Sequence, residues 1–212
     1  MELDKHSGYL AVIFDMDGVL VDARDWHYRA LNDALEIFDA RIDSEEHEER
    51  FNGLPTRVKL QMLTEEGRIP AHLHTLIDEV KQERTLREAA QRCFPRVEHL
   101  LMMEWLRRRD IKVGLATNSI RRTTMTMLDF AGLTGYIDVV LTNEDVKQAK
   151  PSPEIYIECA QRLGVSPSQS LVVEDSEYGV ESATRAGCTV IAVSGVEDVS
   201  EELLRPYLEQ IR

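Results

Sequence analysis

The chain has 212 residues, 43% of them hydrophobic, and a formal net charge of −13. That length can bury one sizeable core plus a small accessory bundle, and no third domain is needed. The acidic balance argues against nucleic acid as a partner, and no apolar run reaches the roughly 20 residues needed to cross a bilayer. Three cysteines, Cys93, Cys159 and Cys188, share no metal-ligand spacing and fit reduced structural thiols. Met1 to Gly8 is polar and too short for a secretion signal, so a cytoplasmic protein without membrane contact is expected.

Leu10 to Phe14 is an apolar run that predicts a strand buried on both faces. It leads into Asp15-Met16-Asp17-Gly18-Val19-Leu20-Val21-Asp22, placing two carboxylates at the strand's carboxyl end, the edge where such sheets hold ligands. Carboxylates this close repel unless a cation or a retained proton relieves the charge, so the pattern predicts a hard metal ion, an acid and a nucleophile. Taken alone, the turn is as readily a solvated acidic loop.

The next stretch, residues 23–93, is helical and charged. Trp26, Ala30, Leu31, Ala34, Leu35 and Phe38 recur at helical spacing, as do Val58, Leu60, Met62 and Leu63, then Leu73, Leu76, Ile77, Val80 and Leu86. These predict the buried faces of a small bundle. The acidic run 43–49 predicts a helix start capped by Ser44.

A helix over 97–109 follows, with Arg107, Arg108 and Arg109 at the end where cations suit the helix dipole. Strand 111–116 ends in Thr117-Asn118-Ser119 ahead of a helix opening with Ile120-Arg121-Arg122, whose free N–H groups suit a phosphate. Capping by Asn118 or Ser119 is the simpler reading of that triplet in isolation. After a strand over 139–142 comes Lys150, just before Pro151 and Pro153, either of which can fix the start of a helix over 154–163. Strand 170–174 ends in Glu174-Asp175-Ser176, with Gly179 in a helix stopping near Gly187; strand 189–193 and a helix over 199–211 close the chain. The alternation predicts an α/β protein with a doubly wound, Rossmann-like parallel sheet and an inserted small α-helical domain.

Asp-x-Asp-Gly-Val-Leu-x-Asp, Thr-Asn, Lys-Pro and Glu-Asp-Ser-x-x-Gly, in that order and each on the expected element, resemble the haloacid dehalogenase superfamily, in the branch similar to β-phosphoglucomutase and phosphoglycolate phosphatase. The resemblance implies a core of residues 1–22 and 94–212 and a helical cap of residues 23–93, hinged near 22–24 and 94–96. It implies that Asp15 is the nucleophile and forms an aspartyl-phosphate, and that Asp17 is the acid and base. Mg²⁺ would be held by Asp15, the main-chain carbonyl of Asp17 and Asp175, with Glu174 acting directly or through water. Lys150, Thr117 and the Asn118 N–H would hold the phosphoryl group. Positive charge is required there, because a carboxylate approaching a phosphate meets about 4 kcal/mol of repulsion per charge pair at 4 Å, roughly a thousandfold in rate.

In the cap, His27 resembles a hinge histidine of the mutase, and Asn52-Gly53-Leu54-Pro55-Thr56-Arg57 resembles a substrate-facing loop. Gly53, Thr56 and Arg57 are therefore substrate-binding candidates, and Lys59, Arg121 and Arg122 are further cations in reach of an anionic substrate. Thr56 falls where the mutase has a phosphate-gripping arginine, which predicts weak cap-side charge and simple hydrolysis. The expectation is a monomeric Mg²⁺-dependent phosphatase of a small phosphorylated metabolite. The alternatives are a phosphomutase acting on a hexose phosphate and a non-catalytic module, the latter disfavoured because Asp15, Asp17 and Asp175 are all present.

Overall fold

The computed structural model describes residues 8–209. Its strands are β1 (Ala11–Phe14), β2 (Lys112–Ala116), β3 (Val139–Leu141), β4 (Ser170–Glu174) and β5 (Thr189–Ala192), in one all-parallel sheet of order β3-β2-β1-β4-β5. The helices are α1 (Arg24–Leu35), α2 (Ser44–Glu46), α3 (Thr56–Glu65), α4 (His74–Arg92), α5 (Val97–Arg107), α6 (Arg121–Phe130), α7 (Glu154–Leu163), α8 (Glu177–Ala186) and α9 (Glu201–Leu208).

Side chains alternate across the sheet, and both faces are covered. Val12, Phe14, Val113, Leu115, Leu171 and Val173 pack with Met102, Met103 and Leu106 of α5, Met127 and Leu128 of α6, and Leu204 of α9. Ala11, Ile13, Ala116, Leu141 and Val172 face the other way, against Ile155, Tyr156, Cys159 and Ala160 of α7 and Ala183 of α8. This two-sided burial is why β1 is uniformly apolar. From β1 the chain runs outward through β2 and β3, then returns to β4 on β1's other side. The reversal opens a crevice beyond the carboxyl ends of the strands.

Some boundaries differ from the sequence reading. Leu10 lies outside β1 and is exposed. Thr142 leaves β3 because its N–H and hydroxyl both donate to Asp145 Oδ2, at 2.9 and 2.8 Å. β5 stops at Ala192 and α5 at Arg107. Helix α9 begins at Glu201 after Ser200, whose hydroxyl accepts from Leu203 N–H; residues 210 and 211 of the expected helix, like Met1 to Ser7, lie outside the described residues. Asp43, not Ser44, caps α2, its Oδ1 accepting from Glu46 N–H at 2.8 Å.

Helices α1, α3 and α4, with the segments joining them, share a separate apolar cluster built on Leu31, Leu35, Phe51, Leu60, Leu63 and Ile77. Trp26, Ala89 and Cys93, at the roots of this insertion, belong instead to the main core. Leu76, expected inside, is exposed. The buried stripe of α4 is Ile77, Lys81, Gln82, Thr85 and Ala89, so polar side chains occupy the face that the hydrophobic pattern assigned to leucine. Within the described residues no helix is long and apolar enough to cross a membrane.

Gly114 lets α7 lie close on β2: a Cβ there would stand 2.6 Å from Cys159 Sγ and 3.0 Å from Leu163 Cδ1. Gly114→Ala is expected to cost about 1–3 kcal/mol by overpacking, lowering the melting temperature by roughly 2–4 °C per kcal/mol for a chain of this size. A thermal melt of the variant checks this.

Candidate active site

The register that pairs Phe14 with both Leu115 and Val173 brings three strand ends together. Asp15 follows β1, Thr117 follows β2, and Glu174 ends β4 with Asp175 just after it. Lys150, from the loop before α7, reaches under all of them. Its Nζ donates to Asp15 Oδ1 at 2.6 Å, to Glu174 Oε1 at 2.6 Å and to the Ala116 carbonyl at 2.8 Å. Lys150 and Glu174 are both buried. Burial alone would strip the lysine's proton; Asp15 and Glu174 outweigh it and hold the ammonium form. Removing that ammonium would leave a buried carboxylate uncompensated, at a cost of about 3–5 kcal/mol.

Glu174 is the most fully engaged group of the site. Its Oε1 also accepts from the Tyr156 hydroxyl at 2.7 Å. Its Oε2 accepts from the N–H groups of Asp175 and Ser176 and from the Ser176 hydroxyl, at 3.0, 3.2 and 3.1 Å. Glu174 thus clamps the lysine and shapes the start of α8. Asp175 faces the cavity, with Arg24 at 3.5 Å.

The carboxylates of Asp15, Glu174 and Asp175 each offer an oxygen, all within 4.8 Å of one another. Burial first, with Glu174 and Asp17 adding to it, pushes Asp175 up to about 6. Burial likewise raises Asp15 well above the carboxylate range, against the pull of Lys150. Such an all-oxygen, crowded and desolvated set fits a hard divalent cation, which removes the repulsion that raises both groups.

Asp17 is set differently. His27 Nε2 stands 3.0 Å from its Oδ1, and the Ser119 hydroxyl donates to its Oδ2 at 2.7 Å. Burial would raise this carboxyl, but His27, with Ser119 and Lys81, holds it below its ordinary value. Lys81 Nζ donates to His27 Nδ1 at 3.0 Å, which fixes the imidazole proton on Nε2, facing Asp17.

Thr117 Oγ1 accepts from Ser119 N–H at 3.0 Å, leaving its own proton for a substrate oxygen. Neither Asn118 nor Ser119 caps α6. Asn118 Nδ2 donates to the Gly53 carbonyl at 2.9 Å and its Oδ1 accepts from Lys150 N–H at 3.1 Å, while Glu144 Oε2 takes the Arg121 N–H. A Cβ at Gly53, whose φ is +73°, would stand 3.3 Å from Ser176 Cβ, so the insertion's loop is seated on the strand ends.

A cavity of about 510 Å³ lies between the strand ends and the insertion. It gathers Asp15, Asp17, His27, Gly53, Thr56, Arg57, Thr117, Asn118, Lys150 and Asp175, every candidate from the sequence except Glu174, which lies beneath it. Lys59 also lines it, whereas Arg121 pairs with Asp145 and Arg122 is exposed outside it. The sequence reading missed Lys81, His47, Ser119 as a partner of Asp17, and Tyr156. For Lys81 the signal was its i+4 position after Ile77, on the stripe that ends at Ala89. Tyr156 carried no such mark, because its role depends on α7 lying across β4.

The crevice, the acid cluster and the buried lysine together form a candidate catalytic site at the strand ends. A profile of the haloacid dehalogenase-like hydrolases matches residues 12–193, and the chain belongs to that family. It is 36% identical over 179 residues to the phosphorylated carbohydrates phosphatase of Thermotoga maritima, covering 84% of this chain and 81% of that one. It is 31% identical over 186 residues to the fructose-1-phosphate phosphatase YqaB of Escherichia coli, covering 87% and 96%. The fold matches the crystal structure of a β-phosphoglucomutase from Clostridium difficile with a TM-score of 0.82 at 20% identity, covering 95% and 98%. The protein is a phosphatase-class enzyme of this family.

Gly179, in the first turn of α8, leaves the space that Glu174 fills: a Cβ there would fall 1.8 Å from Glu174 Oε1. Alanine for glycine in a helix usually stabilises by up to about 1 kcal/mol. Here Gly179→Ala is expected to destabilise by about 1–3 kcal/mol because it displaces the clamp on Lys150. Urea titration of the variant gives the sign directly.

Proposed function

We propose that the protein hydrolyses a small phosphorylated metabolite, a sugar phosphate or similar monoester, with Asp15 as nucleophile and Asp17 as acid and base. The observation that carries this reading is geometric: Asp15 lies against Lys150 and beside Glu174 and Asp175 at the strand ends, while Asp17, two residues on, lines the same cavity held by His27 and Ser119. Asp15, Asp175 and the main-chain carbonyl of Asp17 would hold Mg²⁺, with Glu174 directly or through water. The ion would neutralise the crowded carboxylates and the phosphate as a Lewis acid.

An Asp15 oxygen bonds to phosphorus as the ester oxygen leaves, and Asp17 gives that oxygen its proton. The incoming phosphate's charge raises Asp17 enough to carry this proton. Water then attacks the aspartyl-phosphate, losing its proton to Asp17, and inorganic phosphate departs. Lys150 Nζ, the Thr117 hydroxyl and the Asn118 N–H hold the oxygens of the transferring group. Residues 23–93 act as a cap on residues 1–22 and 94–212, hinged near 22–24 and 94–96, which excludes bulk water and presents His27, Gly53, Thr56 and Arg57 to the leaving group.

Hydrolysis rather than isomerisation is supported by the two phosphatase relatives. The weak cap-side charge expected from Thr56 is not found, because Lys59 and Lys81 line the same cavity. A phosphate-release screen over sugar phosphates, with product analysis for isomers, separates the two outcomes. Asp15→Asn is expected to abolish release, and undiminished turnover would refute the nucleophile. Asp17→Asn should slow sugar-phosphate turnover about 10²–10⁴-fold. Aryl phosphates, whose leaving group needs no proton, should lose less in the first step; equal losses would speak against acid catalysis.

Metal loading has its own readout. At a hundredfold excess over its dissociation constant, Mg²⁺ should stabilise by about 2.7 kcal/mol, or roughly 5–10 °C in melting temperature. Protons compete for the same oxygens, so the shift should be full at alkaline pH and fade as pH falls through about 6, where Asp175 takes one up. A shift that ignores pH, or survives Asp175→Asn, would count against these ligands.

A further inference from the structure

We propose that Lys59, backed by His47, binds a second oxyanion carried by the leaving group, so that the preferred substrate is a phosphomonoester bearing another carboxylate or phosphate. This rests on the phosphatase reading above and deepens it by naming the substrate class.

Of the other cations lining the cavity, Arg57 and Lys147 are exposed to solvent and the rest are engaged. Lys150 is shared by Asp15 and Glu174, and Arg24 lies against Asp175. Lys81 donates to His27. Lys59 is only 8% exposed, yet among the described residues no carboxylate comes within ion-pairing distance of it. Its one polar contact is His47 Nε2, at 3.5 Å.

The groups facing Lys59 give it little. His47, from the turn before α3, is desolvated and pushed down to about 4 with Lys59 itself contributing, so it is a neutral imidazole that can accept but not compensate charge. Lys81 on α4 repels it. Asp17, on the floor, attracts it from beyond contact but is already held by His27 and Ser119. Asp78 on α4 acts on Lys81. Burial first, then Lys81, brings the Lys59 ammonium down to about 7.

A buried ammonium without a counter-charge is an unfinished ion pair. A sugar hydroxyl would give it one neutral hydrogen bond, whereas an oxyanion supplies the missing charge and returns the proton. The space is sufficient, since a cavity of about 510 Å³ has its floor at Asp15 and Thr117 and its roof at Lys59. The transferred phosphate sits on the first and the second oxyanion reaches the other.

The test compares three probes on one carbon skeleton with wild type, Lys59→Met and Lys59→Arg. They are glucose 6-phosphate, with a neutral leaving group, 6-phosphogluconate, with a carboxylate, and glucose 1,6-bisphosphate, with a second phosphate. Wild type should favour at least one charged probe over glucose 6-phosphate by roughly ten- to a hundredfold in kcat/KM, the worth of one hydrogen bond to a charged group. Which probe wins tells a carboxylate from a phosphate.

Lys59→Met should erase that ratio, mainly through KM, and Lys59→Arg should restore most of it. For 6-phosphogluconate the ratio should also shrink as pH rises past about 7, where free Lys59 loses its proton. Lys59→Met should melt no lower than wild type, because an apolar side chain replaces an unpaired buried charge. Equal use of the three probes, a ratio unchanged in Lys59→Met, or a markedly lower melting temperature for it overturns the assignment while leaving the phosphatase reading intact. Absence of phosphate release from every probe, p-nitrophenyl phosphate included, overturns both.

Discussion

Mutual repulsion of carboxylates at the strand ends is the constraint around which the molecule is arranged. Because β1 lies beside β4 in matched register, Asp15 is forced next to Glu174 and Asp175. A buried lysine holds two of the three, and the geometry leaves the outer two facing a cavity, in an arrangement that could hold a cation. The surrounding backbone makes room for this crowding. Gly18, at φ +88°, passes so close to Asp175 that a Cβ would stand 2.1 Å from Oδ2. Tyr156 and the N–H groups at the start of α8 then absorb the rest of Glu174's hydrogen-bonding capacity. Each of these features is costly alone and sensible only together.

The insertion poses the opposite problem. It buries two ammonium groups, Lys59 and Lys81, and two imidazoles, and the lysines are pushed down to about 7 and about 8 by desolvation. An acidic floor therefore faces a basic roof, with the Asp17–His27–Lys81 chain as the hydrogen-bonded link between them. Opposed surfaces of this kind draw the insertion onto the core electrostatically and place a polarised space around an anionic ester. The Asn118–Gly53 hydrogen bond fixes how closely they meet.

Much of the core site was legible because its chemistry is carried by short segments at strand ends. An apolar run of four or five residues followed by Asp15 and Asp17, or by Glu174 and Asp175, announces both the strand and the edge at which the acids emerge. Lys150 was legible for its place before Pro151 and Pro153, though its reach beneath three strands was not. The roof was harder to read. Lys81 and Thr85 share a helical stripe with Ile77 and Ala89, but hydrophobic spacing favours Leu76, which the fold leaves in solvent. Asn118 and Ser119 read as caps until the loop containing Gly53 and the side chain of Asp17 were seen to take their hydrogen bonds.

The sequence alone determined the alternation of strands and helices, the two-sided burial of the sheet and the identity of the strand-end acids, because these follow from local periodicity and from what a strand terminus exposes. Tertiary structure alone decided which charges are shared and which are left over. Asp15 and Asp17, alike in the chain, receive opposite electrostatic settings from neighbours more than a hundred residues away as well as from His27 close by. Lys59, ordinary on a helix, becomes a buried and uncompensated cation only when α3 closes over the cavity. Charge energetics depend on distance and desolvation in space, and neither is written in the order of residues.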